Sequence, residues 1–263
     1  MLNAPQNFRV LILTIAALFS LNAAASASFT FDGPDAQGWS VLNYQNGRIF
    51  DSFAGPAETT PNGNPTDAIL ARDPNAVQGA RFSAPAPFVG DASSLIGGAL
   101  MFDLTVAENF DANFYTLSRA LGLIYVENAT TGQGLLYTGA LPDASWTPYS
   151  VTLGPNAAPL TLSSEFGGGL MGLPVPDIGF WAYIPNIAQI GASFLDPTAQ
   201  NFADVFGDVT RFTIVGEVLD GPEDVLGLDN VLLTTVPIPA AFPLMLSALF
   251  GVFAAGRRRA TVA

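Results

Sequence analysis

Thr147-Pro148-Tyr149-Ser150-Val151-Thr152-Leu153 alternates polar and apolar side chains, residue by residue. In extended backbone successive side chains point to opposite faces, so Tyr149, Val151 and Leu153 share one face. A strand with one apolar and one polar side suits an antiparallel sheet covered on one side, and the apolar side is expected to be buried. The same signal, short and rich in β-branched and aromatic residues, recurs at 28–31, 39–43, 68–72, 100–106, 121–127, 134–137, 211–218 and 228–235. Clusters of Gly, Pro, Asn and Asp separate these segments, which is the pattern of an all-β sandwich or barrel.

One helix is expected beside the strands. Asp196 is placed to cap it with Pro197 in the first helical position, Phe202, Val205 and Phe206 make an i, i+3, i+4 stripe, and Gly207 ends it. The stripe reads as packing against the sandwich. Two long connections stand out. Residues 53–67 are nearly all turn formers, and residues 154–196 carry Gly167-Gly168-Gly169 and the aromatic patch Phe180-Trp181-Ala182-Tyr183. A structureless loop of the second length is uncommon in a compact domain, so it is expected to hold a hairpin or to cover a site. The sequon Asn128-Ala129-Thr130 reads as coincidental.

Composition narrows the chemistry. The chain has no Cys, no His and no Lys, which removes disulfides, thiol and imidazole nucleophiles, imidazole metal sites and Schiff-base chemistry. Only carboxylates, hydroxyls and arginine are left for catalysis. Residues 28–235 hold five arginines against all 22 acidic residues, a net charge of −17. That charge argues against nucleic acid and anionic membrane as partners. With 20 Phe, 3 Trp and 6 Tyr and a mean hydropathy of +0.38, the chain is not a disordered acidic tail.

Both termini read as targeting segments. One positive side chain, Arg9, precedes an apolar core at 10–21 and the small-residue run Ala23-Ala24-Ala25-Ser26-Ala27, so residues 1–27 form a secretory signal peptide. At the other end no charge interrupts 236–256 before Arg257-Arg258-Arg259. That length is about the 20 residues that cross a bilayer core, and the arginines place the far end in the cytoplasm. Pro243 leaves only about 13 residues of clean helix, short of the ~17 a span needs. One reading of the tail is a plain membrane anchor. The other rests on Val236, Pro237, Ile238, Pro239 and Ala240, which resemble the VPLPA-type relative of the PEP-CTERM sorting signals, with Ile238 where leucine is usual. This resemblance implies a surface protein of a Gram-negative bacterium. Its tail (236–263) would be held transiently in the inner membrane and removed by an exosortase, a membrane-embedded cysteine protease-transpeptidase relative.

The exported segment carries a second resemblance. Phe29-Thr30-Phe31-Asp32 with Gly38-Trp39, Gly63-Asn64-Pro65, Ser83-Ala84-Pro85, Phe88-Val89-Gly90-Asp91 and Leu100-Met101-Phe102-Asp103-Leu104 stand in the first half. Trp146-Thr147-Pro148-Tyr149, Asp208-Val209-Thr210, Gly216-Glu217 and Gly227-Leu228-Asp229-Asn230-Val231 follow in the second. In this order they resemble the laminin B domain, also called laminin domain IV, over most of 28–235, with 154–196 as an apparent insertion. The resemblance implies a jelly-roll β-sandwich of galactose-binding-like type and no catalytic machinery.

In a jelly roll the first and last strands are often neighbours. Asp32 or Asp35 is thereby expected near Glu217 and Asp229, an oxygen-rich set that suits a structural calcium ion of 6 to 8 oxygen ligands. The alternative is that these carboxylates are solvated or capping, and no D-x-[DN]-x-[DN]-G loop is present. The acidic run Asp220-Gly221-Pro222-Glu223-Asp224 reads first as a solvated turn. The Asn230 amide is expected to cap a loop or to pair with a neighbouring strand. For sugar binding the candidate stacking groups are Trp181 and Tyr183, then Asn43 and Tyr44, against ordinary packing roles for all four. The functional expectation is an exported, non-catalytic surface or matrix protein that binds extracellular glycan or protein. A structural matrix component without a ligand is the alternative, and a carboxylate-dependent polysaccharide-degrading enzyme comes third.

Overall fold

The alternating segments become strands because each can put one row of side chains into a shared core while its backbone pairs sideways. A computed structural model describes residues 27–31, 35–45, 54–56, 58–60, 63, 67–72, 78–108, 122–164, 174–189, 193–216 and 225–235. The expected signal peptide up to Ser26, Asp32, Glu217, the 220–224 run, the expected sorting motif Val236 to Ala240 and the expected membrane segment lie outside those residues, whereas Ala27, read as the last residue of the signal peptide, begins the first strand. Ser26–Thr235 forms one compact unit.

The strands are β1 (Ala27–Phe29), β2 (Ser40–Gln45), β3 (Ala54–Pro56), β4 (Glu58–Thr60), β5 (Ala68–Arg72), β6 (Gln78–Ser83), β7 (Ala99–Glu108) and β8 (Ile124–Asn128). They continue with β9 (Gln133–Tyr137), β10 (Thr147–Thr152), β11 (Leu162–Ser164), β12 (Pro174–Pro176), β13 (Trp181–Ile184), β14 (Arg211–Val215) and β15 (Val225–Thr234). The first sheet runs β10-β7-β15-β5-β4, with β1 also paired to β15; the second runs β13-β9-β8-β14-β6-β2-β3. Every pairing is antiparallel, and β11 and β12 form a separate ribbon.

The inner faces meet in one core. Leu100, Phe102 and Leu104 of β7, Val151 of β10, and Leu226, Leu228, Val231 and Leu233 of β15 face Phe82, Ile124, Val126, Leu135, Phe212 and Ile214 of the second sheet. Val151 and Leu153 are buried, and Tyr149 stacks on Phe102 with ring centroids 5.1 Å apart, as the alternation requires. Trp39 packs edge-on against Phe29, Phe31 and Phe88. Phe31 has φ +51°, a rare conformation for a bulky residue. The strain, of order 1–3 kcal/mol, is comparable to the roughly 1.5–3 kcal/mol from burying its ring completely.

Three expectations are corrected. The helix α1 spans Ala199–Phe206 and is capped by Thr198, not Asp196. The Thr198 hydroxyl accepts from the Asn201 N–H, and the Asn201 side chain accepts from the Thr198 N–H, a reciprocal pair that Asp196 cannot make. Pro197 stays outside the helix, and the Asp196 carboxylate accepts from Asn156 instead. Residues 53–67 are not one loop: β3 edges the second sheet and β4 edges the first. Gly55 and Pro56 are tolerated there because an edge strand pairs on one side only. The strand β6, which carries an arginine in an apolar setting, was hidden by its composition.

The long connection does hold a hairpin-like ribbon, and it also supplies β13. The ribbon lays Val175, with Leu160, Ile187 and Phe194, over Tyr125, Leu136, Ala182 and Ile184 on the outer face of the second sheet. On the same face Tyr125 donates to Glu127 at 2.8 Å, and Glu127 pairs with Arg211 at 3.1 Å. Asn128 of the sequon is 3% exposed, and its amide donates to the Asp204 carbonyl, so it belongs to the packing.

Burial sets an alkaline limit on this fold. The Tyr125 phenol is pushed up by desolvation and then by the Glu127 charge, Tyr137 by desolvation, and Tyr183 by desolvation and then by Asp204. Below pH ~10 both folded and unfolded phenols keep their protons, and stability is unaffected. Above it the unfolded chain loses protons that the folded chain retains, so stability falls by up to about 1.4 kcal/mol per pH unit for Tyr125, and by less for Tyr137 and Tyr183, whose phenols are better screened by solvent. Urea denaturation at pH 8 and pH 11 is expected to show this loss. Equal midpoints at the two pH values would contradict it.

Candidate functional site

The strand β15 changes partner midway. One edge lies along β7 throughout; the other pairs with β5 from Val225 to Leu228 and with β1 from Val231 to Leu233. A bulge at the change places one extra residue between Asp229 and Leu232, and Asn230 there has φ +51°. Asn tolerates the left-handed region better than most residues, which is why an Asp-Asn pair suits this position.

The bulge organises polar groups on the outer face of the first sheet. Leu226 and Leu228 point into the core, so Gly227 and Asp229 face outward. Phe102 and Leu104 likewise turn Asp103 and Thr105 outward. The register sets Asp229 opposite Asp103 and Gly227 opposite Thr105. The Asn230 side-chain amide donates to Asp103 Oδ2 at 2.8 Å, and its backbone N–H donates to Asp229 Oδ1 at 2.6 Å. Asp229 is 1% exposed, whereas Asp103 and Asn230 are part-exposed. The expected strand-pairing role of Asn230 is therefore met.

Trp146 lies against this group. A Cβ at Gly227 would stand 3.0 Å from Trp146 Cη2 and 3.1 Å from Thr105 Cγ2, so glycine is what lets the indole approach the sheet. The ring is approached from a stiff turn: Asp143 Oδ1 accepts from Ser145 N–H at 2.7 Å, and the Asp143 carbonyl accepts from Val106 N–H at 2.8 Å. Of the three tryptophans, Trp39 and Trp181 are each 2% exposed, and Trp146 is half-buried. A part-exposed indole beside a fixed carboxylate and amide can stack on an apolar ligand face while bonding to hydroxyls around its rim.

The residues singled out from sequence fare differently. Trp181 and Tyr183, read from sequence as part of a long connection, lie on the strand β13 and face the core, at 2% and 8% exposure. Trp181 Nε1 donates to the Thr152 carbonyl at 2.8 Å, and its ring meets Tyr137 and, edge-on, Phe202. Buried on both sides, these rings offer no stacking platform. The side chains of Asn43 and Tyr44 fall outside the described residues, although their backbone forms part of β2. The expected neighbourhood of first and last strands is real, since β1 pairs with β15. Asp35, however, is exposed and accepts from Gln37 N–H within its own loop. Asp32 and Glu217 lie outside the described residues; among the described residues no three acidic side chains are grouped so as to hold a metal ion. Trp146, Asp103 and Gly227 carried the domain resemblance without being given a role; no periodicity links a residue before β10 to one inside β15.

Two packed antiparallel sheets with a capping helix and ribbon make this an all-β sandwich. Its fold is shared with the L4b domain of human laminin alpha-2, with a TM-score of 0.50 at 10% identity, over 81% of this chain and 97% of that one. An exo-beta-agarase structure aligns with a TM-score of 0.41 at 11% identity, over 80% of this chain and 25% of that one, too loosely to argue from. No protein-family model and no curated protein matches the sequence. At 10% identity the laminin likeness establishes the fold alone.

Proposed function

We propose that the chain is an exported, non-catalytic protein of the cell surface or extracellular matrix, whose sandwich binds glycan or protein and whose tail is processed by an exosortase. The observation that carries this reading is a sandwich with the fold of a laminin L4b domain, preceded in the sequence by a segment that reads as a secretory signal and followed by Val236-Pro237-Ile238-Pro239-Ala240. The acidic, Cys-free composition supports it, because such a domain stays soluble outside the cell without disulfides. The outer face of the first sheet supports the binding role.

The test expresses the full chain in a Gram-negative host with and without an exosortase and follows an antibody epitope within the sandwich. With the exosortase, the protein is expected at the surface or in the medium, shortened at its C-terminus. Without it, the chain is expected in the inner membrane with its C-terminal tail intact. Cytoplasmic retention in both strains, or an intact tail at the surface, would overturn the reading.

A further inference from the structure

We propose that the outer face of the first sheet is a binding site for a neutral glycan chain, with Trp146 as the stacking platform and Asp103 and Asn230 as the hydrogen-bonding rim. This assignment rests on the binding role proposed above and specifies its ligand class and its residues.

The chemistry of the face matches a pyranose better than any other class of ligand. A pyranose presents a patch of C–H groups on its ring face and hydroxyls, each donor and acceptor, around its edge. The indole supplies an apolar surface, the carboxylate accepts, and the amide both donates and accepts. The groups are also fixed in advance. Gly227 and the Asp143 turn set the indole, and the bulge sets Asn230, which holds Asp103 through the 2.8 Å bond. A site whose side chains are already ordered loses less entropy on binding.

Charge and hydrophobicity decide against the competing classes. With a net charge of −17 over 28–235, the domain repels uronate, sulfate and phosphate polymers. The described cation on this sheet, Arg72, pairs with Glu108 at 3.2 Å. A protein partner would be expected to bury large apolar side chains at the centre of its contact. The exposed large hydrophobics among the described residues are Val89, Leu162, Ile178 and Leu195, and none belongs to the first sheet.

The experiment uses the full chain purified in mild detergent and titrated with cellohexaose, xylohexaose, mannohexaose and galactohexaose, with an alginate hexamer as the acidic counterpart. At least one neutral hexasaccharide is expected to bind in calorimetry and to shift tryptophan fluorescence, because two of the three indoles are buried and Trp146 reports. W146A is expected to weaken binding at least 10-fold and to abolish the fluorescence change. D103N is expected to weaken it several-fold, and W146F less than W146A. Thermal melts check that the variants fold; D103N preserves the shape of the site and carries the test should W146A not fold. Unchanged affinity in W146A or D103N would overturn the site while leaving a glycan-binding module standing. Binding of alginate or of a matrix protein in place of the neutral sugars would overturn the ligand class, with the binding role intact. Absence of binding to every sugar and to the producer's own matrix would overturn the binding role itself, and the site with it.

Discussion

Replacing Arg81 with alanine is expected to cost about 3–5 kcal/mol of folding stability, the range for breaking a buried charged network. Arg81 is 1% exposed on the outer face of the second sheet. Its Nε donates to Thr213 Oγ1 at 2.8 Å, Nη1 to the Gly122 carbonyl at 3.1 Å and Nη2 to the Leu123 carbonyl at 3.4 Å. The Leu123 carbonyl also accepts from Val215 N–H, so the truncation falls hardest on Gly122, whose carbonyl would be left buried with the arginine gone. R81K keeps a charge but replaces a fork by a point, and is expected to recover less than half of the loss. R81M keeps most of the stem packing and reports how much of the cost is hydrogen bonding. Guanidinium denaturation measures all three. A cost under about 1 kcal/mol for R81A would show that this network contributes little to stability.

The second large effect is expected at Trp39, where alanine should cost about 3–5 kcal/mol. The indole is 2% exposed and packs against Phe29 at 5.9 Å, Phe31 at 6.4 Å and Phe88 at 5.6 Å, joining the first strand to the core. Its Nε1 finds no hydrogen-bond partner among the described residues. W39F therefore removes an unmet donor along with part of the ring, and is expected to cost only about 1 kcal/mol. W181F provides the contrast. Trp181 is equally buried, but its Nε1 donates to the Thr152 carbonyl, which also accepts from Gly154 N–H at 3.1 Å, so phenylalanine there loses one hydrogen bond without orphaning the acceptor and should cost about 0.5–1.5 kcal/mol more than W39F. The same denaturation series checks the ordering. Equal losses for the two phenylalanine variants would mean that indole hydrogen bonding does not distinguish the sites.

Composition and strand faces are properties of single or neighbouring residues, and these are what a sequence displays. The period-2 pattern at 147–153 determined by itself that Val151 and Leu153 go inward, because the pleat sends alternate side chains to opposite faces whatever strands lie beside them. The apolar stripe Phe202, Val205 and Phe206 determined the buried face of α1 in the same way. The absence of Cys, His and Lys excluded whole classes of chemistry with no fold in hand.

Tertiary structure decided whatever depends on which strand lies next to which. Trp181 and Tyr183 announce two large rings, but a strand shifted by one residue would turn both to the opposite side. Their pairing with Tyr137 and Leu135 sends them into the core and leaves Ala182 and Ile184 under the ribbon. The edge strands β3 and β4 form through backbone pairing that small and turn-forming side chains do not advertise. Trp146, Asp103 and Asn230 come from three separate stretches of chain and meet because β15 lies beside β7 and changes its other partner at the bulge. No local pattern encodes that exchange; it follows from closing two sheets over one core.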